Sequence, residues 1–196
     1  MTEPRVELVP LSKQPVMPWQ NGGGVTRQVA IDPLDGSLQK GFRWRVSVAK
    51  VGQGGPFSLL PMVDRSLWLV AGNGMRLAMG EREVVLDRSH KRLDFDGGTK
   101  VFATLLDGPC EDCNVMTVRG EVQANASMVA LQKGEHIDVE TAPQRLALVF
   151  RGVIEVGERA VVAGSGDAVR IEGEGEVRIA ARTECELLVV RFLPAQ

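Results

Sequence analysis

Short apolar runs separated by glycine are the feature that most restricts the fold of this chain. From Leu67 onward the sequence contains LWLVAG, MRLAMG, REVVL, KRLDF and KVFATLL, each long enough for a strand. The chain has 22 glycines, and no stretch keeps a sustained helical period, so helix is expected to be a minority. Many short strands with frequent turn signals predict an all-β protein built as a sandwich or barrel.

A weak internal repeat predicts two such barrels. The segment LWLVAGNGMRL, which begins at Leu67, resembles LALVFRGVIEV, which begins at Leu146. GEREVVLD follows the first copy and GERAVVAG the second, and repeated units of this kind indicate repeated supersecondary structure. We expect a first barrel in residues 1–120, which carries the ligand pocket, and a second, smaller barrel in residues 121–196. N-terminal strands that pair with the second barrel are the alternative.

Length, charge and hydropathy exclude several classes of partner. The 196 residues carry a formal net charge of −2, so no overall basic field attracts nucleic acid. No apolar run approaches the ~20 residues that a membrane span requires. The N-terminus, MTEPRVELVP, lacks the charged and apolar regions of a signal peptide. We therefore expect a cytoplasmic protein without nucleic-acid or membrane partners.

The stretch from Arg43 to Arg65 is predicted to hold functional residues. It begins as a strand with one apolar face, and its other face carries Arg45 and Ser47 beside Arg43 and Ala49. An arginine and a serine among small residues suit the inside of a barrel that holds something polar. After a glycine turn, Arg65 precedes the next apolar run. The competing interpretation is that Arg45 and Arg65 are surface residues.

A glycine loop entered by an aromatic residue leads into another predicted strand. The loop is Trp19–Gly24, and the strand Val25–Ile31 carries Thr26 and Gln28 on one face. Three glycines let a backbone approach a ligand closely. A phosphate loop is excluded because a strand follows instead of a helix. Asn21 is therefore either a ligand residue or part of an ordinary loop between strands.

The cysteines and histidines do not form a recognisable metal site. Cys110 and Cys113 make one C-x-x-C, and Cys185 is distant in sequence. A zinc site of this type needs two more ligands at suitable spacing. Both histidines, His90 and His136, lie in charged segments typical of surface loops. We expect neither a bound metal nor another cofactor.

Six short motifs occur in order over the first two thirds of the chain. They are Trp19-x-Asn21-Gly22-Gly23-Gly24-x-Thr26-Arg27, Trp44-Arg45-x-Ser47-x-Ala49, Gly55-Pro56-Phe57-Ser58, Asp64-Arg65, Asp107-Gly108-Pro109 and Asp112-x-Asn114-x-Met116. Together they resemble the HutD/Ves family. Gln28 departs from the glutamate of many members, so no role that needs a carboxylate is carried over there, and Cys113 stands where an aromatic residue is commoner.

The resemblance implies a bicupin fold, in which two small jelly-roll-like β-barrels pack side by side. It also implies a link to histidine utilisation in bacteria, where the family has an accessory or regulatory role. Cupin enzymes usually hold a metal with three histidines and a glutamate, and this chain has only two histidines. The resemblance therefore points to fold and pathway more than to a reaction.

The predicted ligand-binding residues combine guanidinium donors with neutral polar groups and one aromatic ring. They are Asn21, Thr26, Gln28, Arg45, Ser47, Phe57, Arg65 and Asn114. Arginine binds carboxylates through paired hydrogen bonds, so the set predicts a pocket for a small carboxylate. The intermediates of histidine degradation, including urocanate, formiminoglutamate and formylglutamate, are carboxylates.

Two other functions remain open at this point. A metal-free cupin enzyme, acting as an isomerase, lyase or hydrolase, would use Asp64 or Glu135 as its acid or base. A protein-interaction module would instead use the second barrel. In residues 125–193 we find no polar group predicted to face a cavity, so we expect this barrel to close the fold and to offer a homodimer contact.

Overall fold

The computed structural model describes residues 4–89 and 91–195, and it is built almost entirely of antiparallel strands. The strands are β1 (Arg5–Val9), β2 (Val16–Pro18), β3 (Gly24–Asp32), β4 (Trp44–Val51), β5 (Gly55–Pro56), β6 (Val63–Ala71), β7 (Met75–Met79), β8 (Arg82–Leu86), β9 (Arg92–Asp96), β10 (Phe102–Leu105), β11 (Cys110–Val118), β12 (Val122–Leu131), β13 (His136–Val139), β14 (Gln144–Arg151), β15 (Val153–Val156), β16 (Val161–Gly164), β17 (Ala168–Glu172), β18 (Val177–Ala181) and β19 (Cys185–Pro194).

The all-β prediction is confirmed. Within the residues described, the helical content is one 3-10 turn at Leu11–Lys13. No helix in this part of the chain is long and apolar enough to cross a membrane.

Residues 15–122 form one compact unit, which we call the first barrel. Its larger sheet has the strand order β2-β3-β4-β11-β6-β9, and its smaller sheet has the order β5-β10-β7-β8. The two sheets enclose an apolar core to which Leu67 and Leu69 contribute from the larger sheet and Met75 and Leu77 from the smaller. Burial of this core on the inner faces drives the pairing of sheets whose strands alternate in polarity.

Alternation along β4 fixes which of its residues face the core. Ala49 and Val51 belong to the apolar core. Since successive side chains of a strand point to opposite faces, Arg45 and Ser47 lie on the same inner face as Ala49. Arg43 precedes the strand, is exposed, and forms an ion pair with Asp32 instead.

The second compact unit, which we call the second barrel, contains residues 4–14 and 123–195 of the described chain. Its sheets have the strand orders β1-β17-β14-β19-β12 and β13-β18-β15-β16. The first strand of the chain therefore lies in this barrel, where Arg5 pairs with Glu172. An apolar cluster that includes Ala147, Val149 and Leu187 forms its core, and Arg145 is the charged residue fully buried beside it on β14.

Each barrel has a glycine with a positive φ directly after a corresponding strand. Gly72 follows β6 with a φ of +87°, and Gly152 follows β14 with a φ of +88°. A Cβ atom would lie 2.6 Å from the Pro109 carbonyl oxygen at the first position and 2.2 Å from that of Glu184 at the second. Both the conformation and the close approach require glycine.

When the two glycines are aligned, the structural repeat is offset by one residue from the sequence repeat, which aligned Leu67 with Leu146. The strand pairs β6·β11 and β14·β19 each carry a register shift just before the glycine. When these irregularities are aligned, Arg65 corresponds to Arg145, Asp112 to Leu187, and Asn114 to Val189.

Candidate functional site

Five buried polar side chains lie on the inner face of the larger sheet of the first barrel, and we call them the polar cluster. None is more than 6% exposed, and they are Arg45, Ser47, Arg65, Asp112 and Asn114. Strand β11 lies between β4 and β6, so both arginines pair with its Met116. Two strand spacings place their Cα atoms about 10 Å apart.

Arg45 is held by neutral partners. Its Nε donates to Gln28 Oε1 at 3.0 Å, and its Nη1 donates to Ser47 Oγ at 3.2 Å. Burial lowers the pKa of Arg45 to about 10, so the group is still a cation at neutral pH. Arg45 therefore carries a buried positive charge with two fixed hydrogen bonds.

Arg65 is held more tightly. Its Nε and Nη2 both donate to Asn114 Oδ1, at 3.2 and 2.8 Å, and Nη1 donates to the Ser58 carbonyl oxygen at 3.4 Å. The guanidinium also lies 5.1 Å from the ring centre of Phe57 and 4.9 Å from that of Phe95. Burial lowers the pKa of Arg65 to about 10, while the charge of Asp112 opposes this shift.

Asp112 is the acid of the cluster, and the sequence did not predict it as a site residue. It is 2% exposed, and its Oδ1 accepts a hydrogen bond of 2.8 Å from Asn114 Nδ2. Burial raises the pKa of Asp112 to about 7, because desolvation outweighs the opposing effects of Arg65 and Asn114. The available signal was its position two residues before Asn114, which puts both on one strand face.

The structure brings six of the eight predicted residues together in two contact groups. Gln28, Arg45 and Ser47 form one group, and Phe57, Arg65 and Asn114 form the other. The remaining two lie toward the opposite end of β4. Thr26 Oγ1 accepts from Trp19 Nε1 at 2.8 Å, and exposed Asn21 accepts from the Gly23 amide at 3.0 Å.

A cavity of about 430 Å³ opens at that opposite end of the first barrel. It is lined by Gly22, Gly23, Gly24, Val25, Lys50, Val51, Gly52, Ala71, Gly72, Pro109, Cys110 and Glu111, and we call it the glycine-lined cavity. Its charged side chains, Lys50 and Glu111, lie 3.4 Å apart and neutralise each other. Val51 is six residues from Arg45 on one strand, or about 20 Å away. We therefore place the candidate site at the polar cluster.

The cysteine pair does not form a site. All three cysteines are buried and free. Cys110 and Cys113 are three positions apart on β11, so they point to opposite faces. Burial raises the pKa of Cys110 to about 11 and raises that of Cys113 further. Both are therefore inert thiols at neutral pH.

Among the residues described, no group of three or more His, Cys, Asp or Glu could hold a metal ion. His136 begins β13 of the second barrel and is exposed, and His90 lies outside the described residues.

The two carboxylates predicted for an enzymatic role are engaged elsewhere. Asp64 is exposed and forms an ion pair with Arg119, and it points away from the inner face that its neighbour Arg65 occupies. Glu135 lies in a turn of the second barrel, where it accepts a hydrogen bond from the Gln132 amide. Neither provides the acid of the polar cluster, which is Asp112.

The second barrel has an open polar groove, so the prediction that none of its polar groups faces a cavity is wrong. The groove measures about 360 Å³, and its lining includes Asp138, Glu155, Glu158, Arg159, Glu176 and Arg178. Ion pairs already engage two of these acids, Asp138 with Arg178 and Glu155 with Arg182. The sequence pattern missed the groove because strand alternation indicates which residues face the core and not how exposed charged residues of different strands gather outside it.

The family model and the related sequences point to the same family. The HutD family model matches residues 11–189. Protein Ves of Citrobacter koseri is 33% identical over 164 residues, which cover 82% of this chain and 81% of Ves. An uncharacterized 21.2 kDa protein in the hutC 3' region of Pseudomonas putida is 27% identical over 173 residues, covering 88% of this chain and 90% of that protein.

Solved structures share the fold. HutD from Pseudomonas fluorescens SBW25, in a formate condition, superposes with a TM-score of 0.81 at 23% identity and covers 98% of this chain and 100% of its own. Oxalate decarboxylase of Lactobacillus farciminis superposes with a TM-score of 0.69 at 13% identity, covering 100% of this chain and 87% of its own. The predicted fold of two cupin-type β-barrels is confirmed.

Proposed function

The chain belongs to the HutD family, and from that premise we propose that its first barrel binds a small carboxylate metabolite of histidine degradation, of the urocanate or formylglutamate type. Binding uses no metal, and it serves an accessory or regulatory role in histidine utilisation. Arg45 and Arg65 supply the positive charge.

One observation carries the proposal: two buried guanidinium groups face the inside of the barrel without a carboxylate in contact. Within the part of the chain that the structure describes, neither Arg45 nor Arg65 forms an ion pair, and both donate to neutral oxygens. Burying a charge is costly unless it is paired. An anionic ligand would offset this cost at both arginines.

The hydrogen bonds leave donors for such a ligand. The guanidinium of arginine has five N–H donors in a fixed fork. In the described residues, Arg45 uses Nε and one hydrogen of Nη1, which leaves Nη2 for an incoming carboxylate. Arg65 is committed on its Nε and Nη2 side to Asn114, so Arg45 is the primary carboxylate contact and Arg65 the secondary one.

The class of ligand follows from family and charge together. A relative lies in the hutC 3' region, and intermediates of histidine degradation carry one or two carboxylates. Urocanate would use Arg45 alone, whereas formylglutamate has a second carboxylate that could approach Arg65. Two arginines on strands about 10 Å apart favour the dicarboxylate.

A metal-free enzyme is the second candidate, and Asp112 is the observation that favours it. A general acid or base works best with a pKa near the operating pH, and burial holds the pKa of Asp112 at about 7. Conversion of urocanate or formylglutamate by the pure protein, lost in Asp112→Asn, would establish this function in place of simple binding.

Thermal unfolding with urocanate and formylglutamate tests the binding proposal. A ligand at about 100 times its Kd adds about 2.7 kcal/mol to the free energy of unfolding, which raises Tm by about 5–10 °C for a chain of this length. Arg45→Met should abolish the rise. Arg76→Met is the matched control, because it removes an equal charge from an exposed pair with Glu83.

The control should keep the full rise in Tm. If Arg45→Met binds as well as the parent, or if the unliganded variant unfolds, Arg45 is not the carboxylate contact.

A further inference from the structure

We infer that Asp112 couples proton uptake to ligand binding: its carboxylate takes a proton from solvent when an anion binds beside Arg65 and releases it when the anion leaves. The inference rests on the proposed carboxylate site, and it makes Asp112 the residue that sets the pH dependence of binding there.

The contacts of the polar cluster connect Asp112 to Arg65 through one side chain. Asn114 Nδ2 donates to Asp112 Oδ1 at 2.8 Å, and Asn114 Oδ1 accepts two hydrogen bonds from Arg65. Asp112 therefore fixes the orientation of the Asn114 amide, and that amide fixes the guanidinium. A change in charge at Arg65 therefore acts on Asp112 through these hydrogen bonds, and a change at Asp112 acts on Arg65.

Few other charges act on Asp112. It pairs with Ala49 of β4 and Leu69 of β6, and the smaller sheet contributes apolar residues such as Leu77 to the core. On its own strand, Glu111 forms an ion pair with Lys50, and Cys110 and Cys113 remain neutral thiols because burial raises their pKa. Arg65 is the cation that lowers the pKa of Asp112.

Anion binding removes part of that influence. In the free protein the positive charge of Arg65 partly offsets the desolvation of Asp112. A ligand carboxylate beside Arg65 neutralises the guanidinium and adds a negative charge nearby, so the ionised form of Asp112 becomes less stable. Asp112 then binds a proton, and by linkage a lower pH favours the bound anion.

The second barrel shows that the fold does not require a carboxylate at this position. Leu187 is the residue that corresponds to Asp112, and it is fully buried in an apolar core. A buried carboxylate is less favourable for stability than a leucine of similar size. The acid in the first barrel therefore serves the site and not the packing of the strand.

Isothermal titration with N-formylglutamate at pH 6 and pH 8 tests the inference, because this ligand has no group that titrates between those values. If protonated Asp112 is required and its pKa is about 7, the Kd should be about tenfold weaker at pH 8. Titrations in buffers of different ionisation enthalpy should show uptake of up to one proton per ligand.

Two variants assign the effect to Asp112. Asp112→Asn keeps an oxygen acceptor for Asn114 but cannot titrate, so its Kd should change less than about twofold between the two pH values. Glu111→Gln, which removes the neighbouring half-buried carboxylate, should keep the tenfold dependence of the parent. Asp112→Leu, which copies the second barrel, provides a folded alternative if the asparagine variant does not fold.

The outcomes separate this inference from the proposed function. Absence of binding to the parent at either pH overturns the carboxylate site, and the inference with it. Binding of equal affinity at pH 6 and pH 8 overturns proton coupling alone. A tenfold dependence that persists in Asp112→Asn places the titrating group elsewhere and also overturns the inference.

Discussion

Arg65 and Arg145 occupy corresponding positions in the two barrels, yet they have different partners. Arg145 is fully buried, and its guanidinium donates to the carbonyl oxygens of Glu140, Gly173 and Gly175. These contacts tie turns of the second barrel together. Arg65 instead donates mainly to one side chain, Asn114, within a cluster that includes a second arginine and an acid. The same residue thus binds backbone carbonyl oxygens in one barrel and a side chain of the polar cluster in the other.

The strand beside each arginine explains the difference. In the second barrel the residues that correspond to Asp112 and Asn114 are Leu187, which lies in the apolar core, and Val189, which packs against that core. Leucine and valine offer Arg145 no hydrogen bond, so it turns to backbone carbonyls. Two differences on one strand therefore separate an arginine bonded to the backbone from one bonded to a side chain of the polar cluster.

Replacement of Arg145 or Arg65 by methionine should give the largest difference between the two barrels. Arg145→Met leaves three carbonyl oxygens without their donor, which should lower the free energy of unfolding by about 3 kcal/mol or more. Arg65→Met removes bonds that are mostly to a neutral side chain, so it should cost about 1 kcal/mol while weakening formylglutamate binding through loss of the secondary carboxylate contact. Urea denaturation and a binding titration measure the two effects.

Equal losses of stability in the two variants would contradict the distinction between a structural and a functional arginine. An unchanged Kd for formylglutamate in Arg65→Met would contradict the assignment of Arg65 to the site.

The acid of the first barrel should make its stability depend on pH. The pKa of Asp112 is raised in the folded protein, so its stabilising contribution is complete below the unfolded value near 3.8 and is lost as the pH rises through about 7. Between pH 5 and pH 7 the parent should lose about 2 kcal/mol that Asp112→Asn does not lose. Denaturation at several pH values checks this, and parallel curves for the two proteins would rule out a raised pKa.

Cysteine reactivity should give the smallest contrast. Cys110 and Cys185 occupy corresponding positions, both are buried, and burial raises the pKa of each thiol. With a pKa of about 11, Cys110 should be about 0.1% thiolate at pH 8. Native protein should therefore resist iodoacetamide at both positions, as mass spectrometry can follow. Rapid labelling of Cys110 alone would show that the first barrel opens at the glycine-lined cavity.

The period of two along β4 was enough to predict the inner face of the first barrel. Residues two apart on a strand lie on the same face, so Arg45 and Ser47 must share one. The core residues Ala49 and Val51 confirm that this is the inner face. The same argument did not include Asp112, because the register of β11 against β6 shifts between Glu111 and Asp112 and the sequence does not show this shift.

The sequence could not predict which segments lie close together in space. Asn21 was expected beside the arginines, but pairing of Gly24 with Val51 places its loop at the far end of β4. The offset of the internal repeat was equally hidden, because it depends on the positive φ of Gly72 and Gly152 and not on matching letters. Pattern determines which face a residue occupies, whereas register and turns determine its neighbours.

A crystal structure of the protein with N-formylglutamate tests the central claim most directly. We expect one ligand carboxylate within about 3 Å of Arg45 Nη2, inside the first barrel and beside the polar cluster. A ligand seated in the glycine-lined cavity, about 20 Å along β4 from Arg45, would contradict the assignment of the site to the buried arginines.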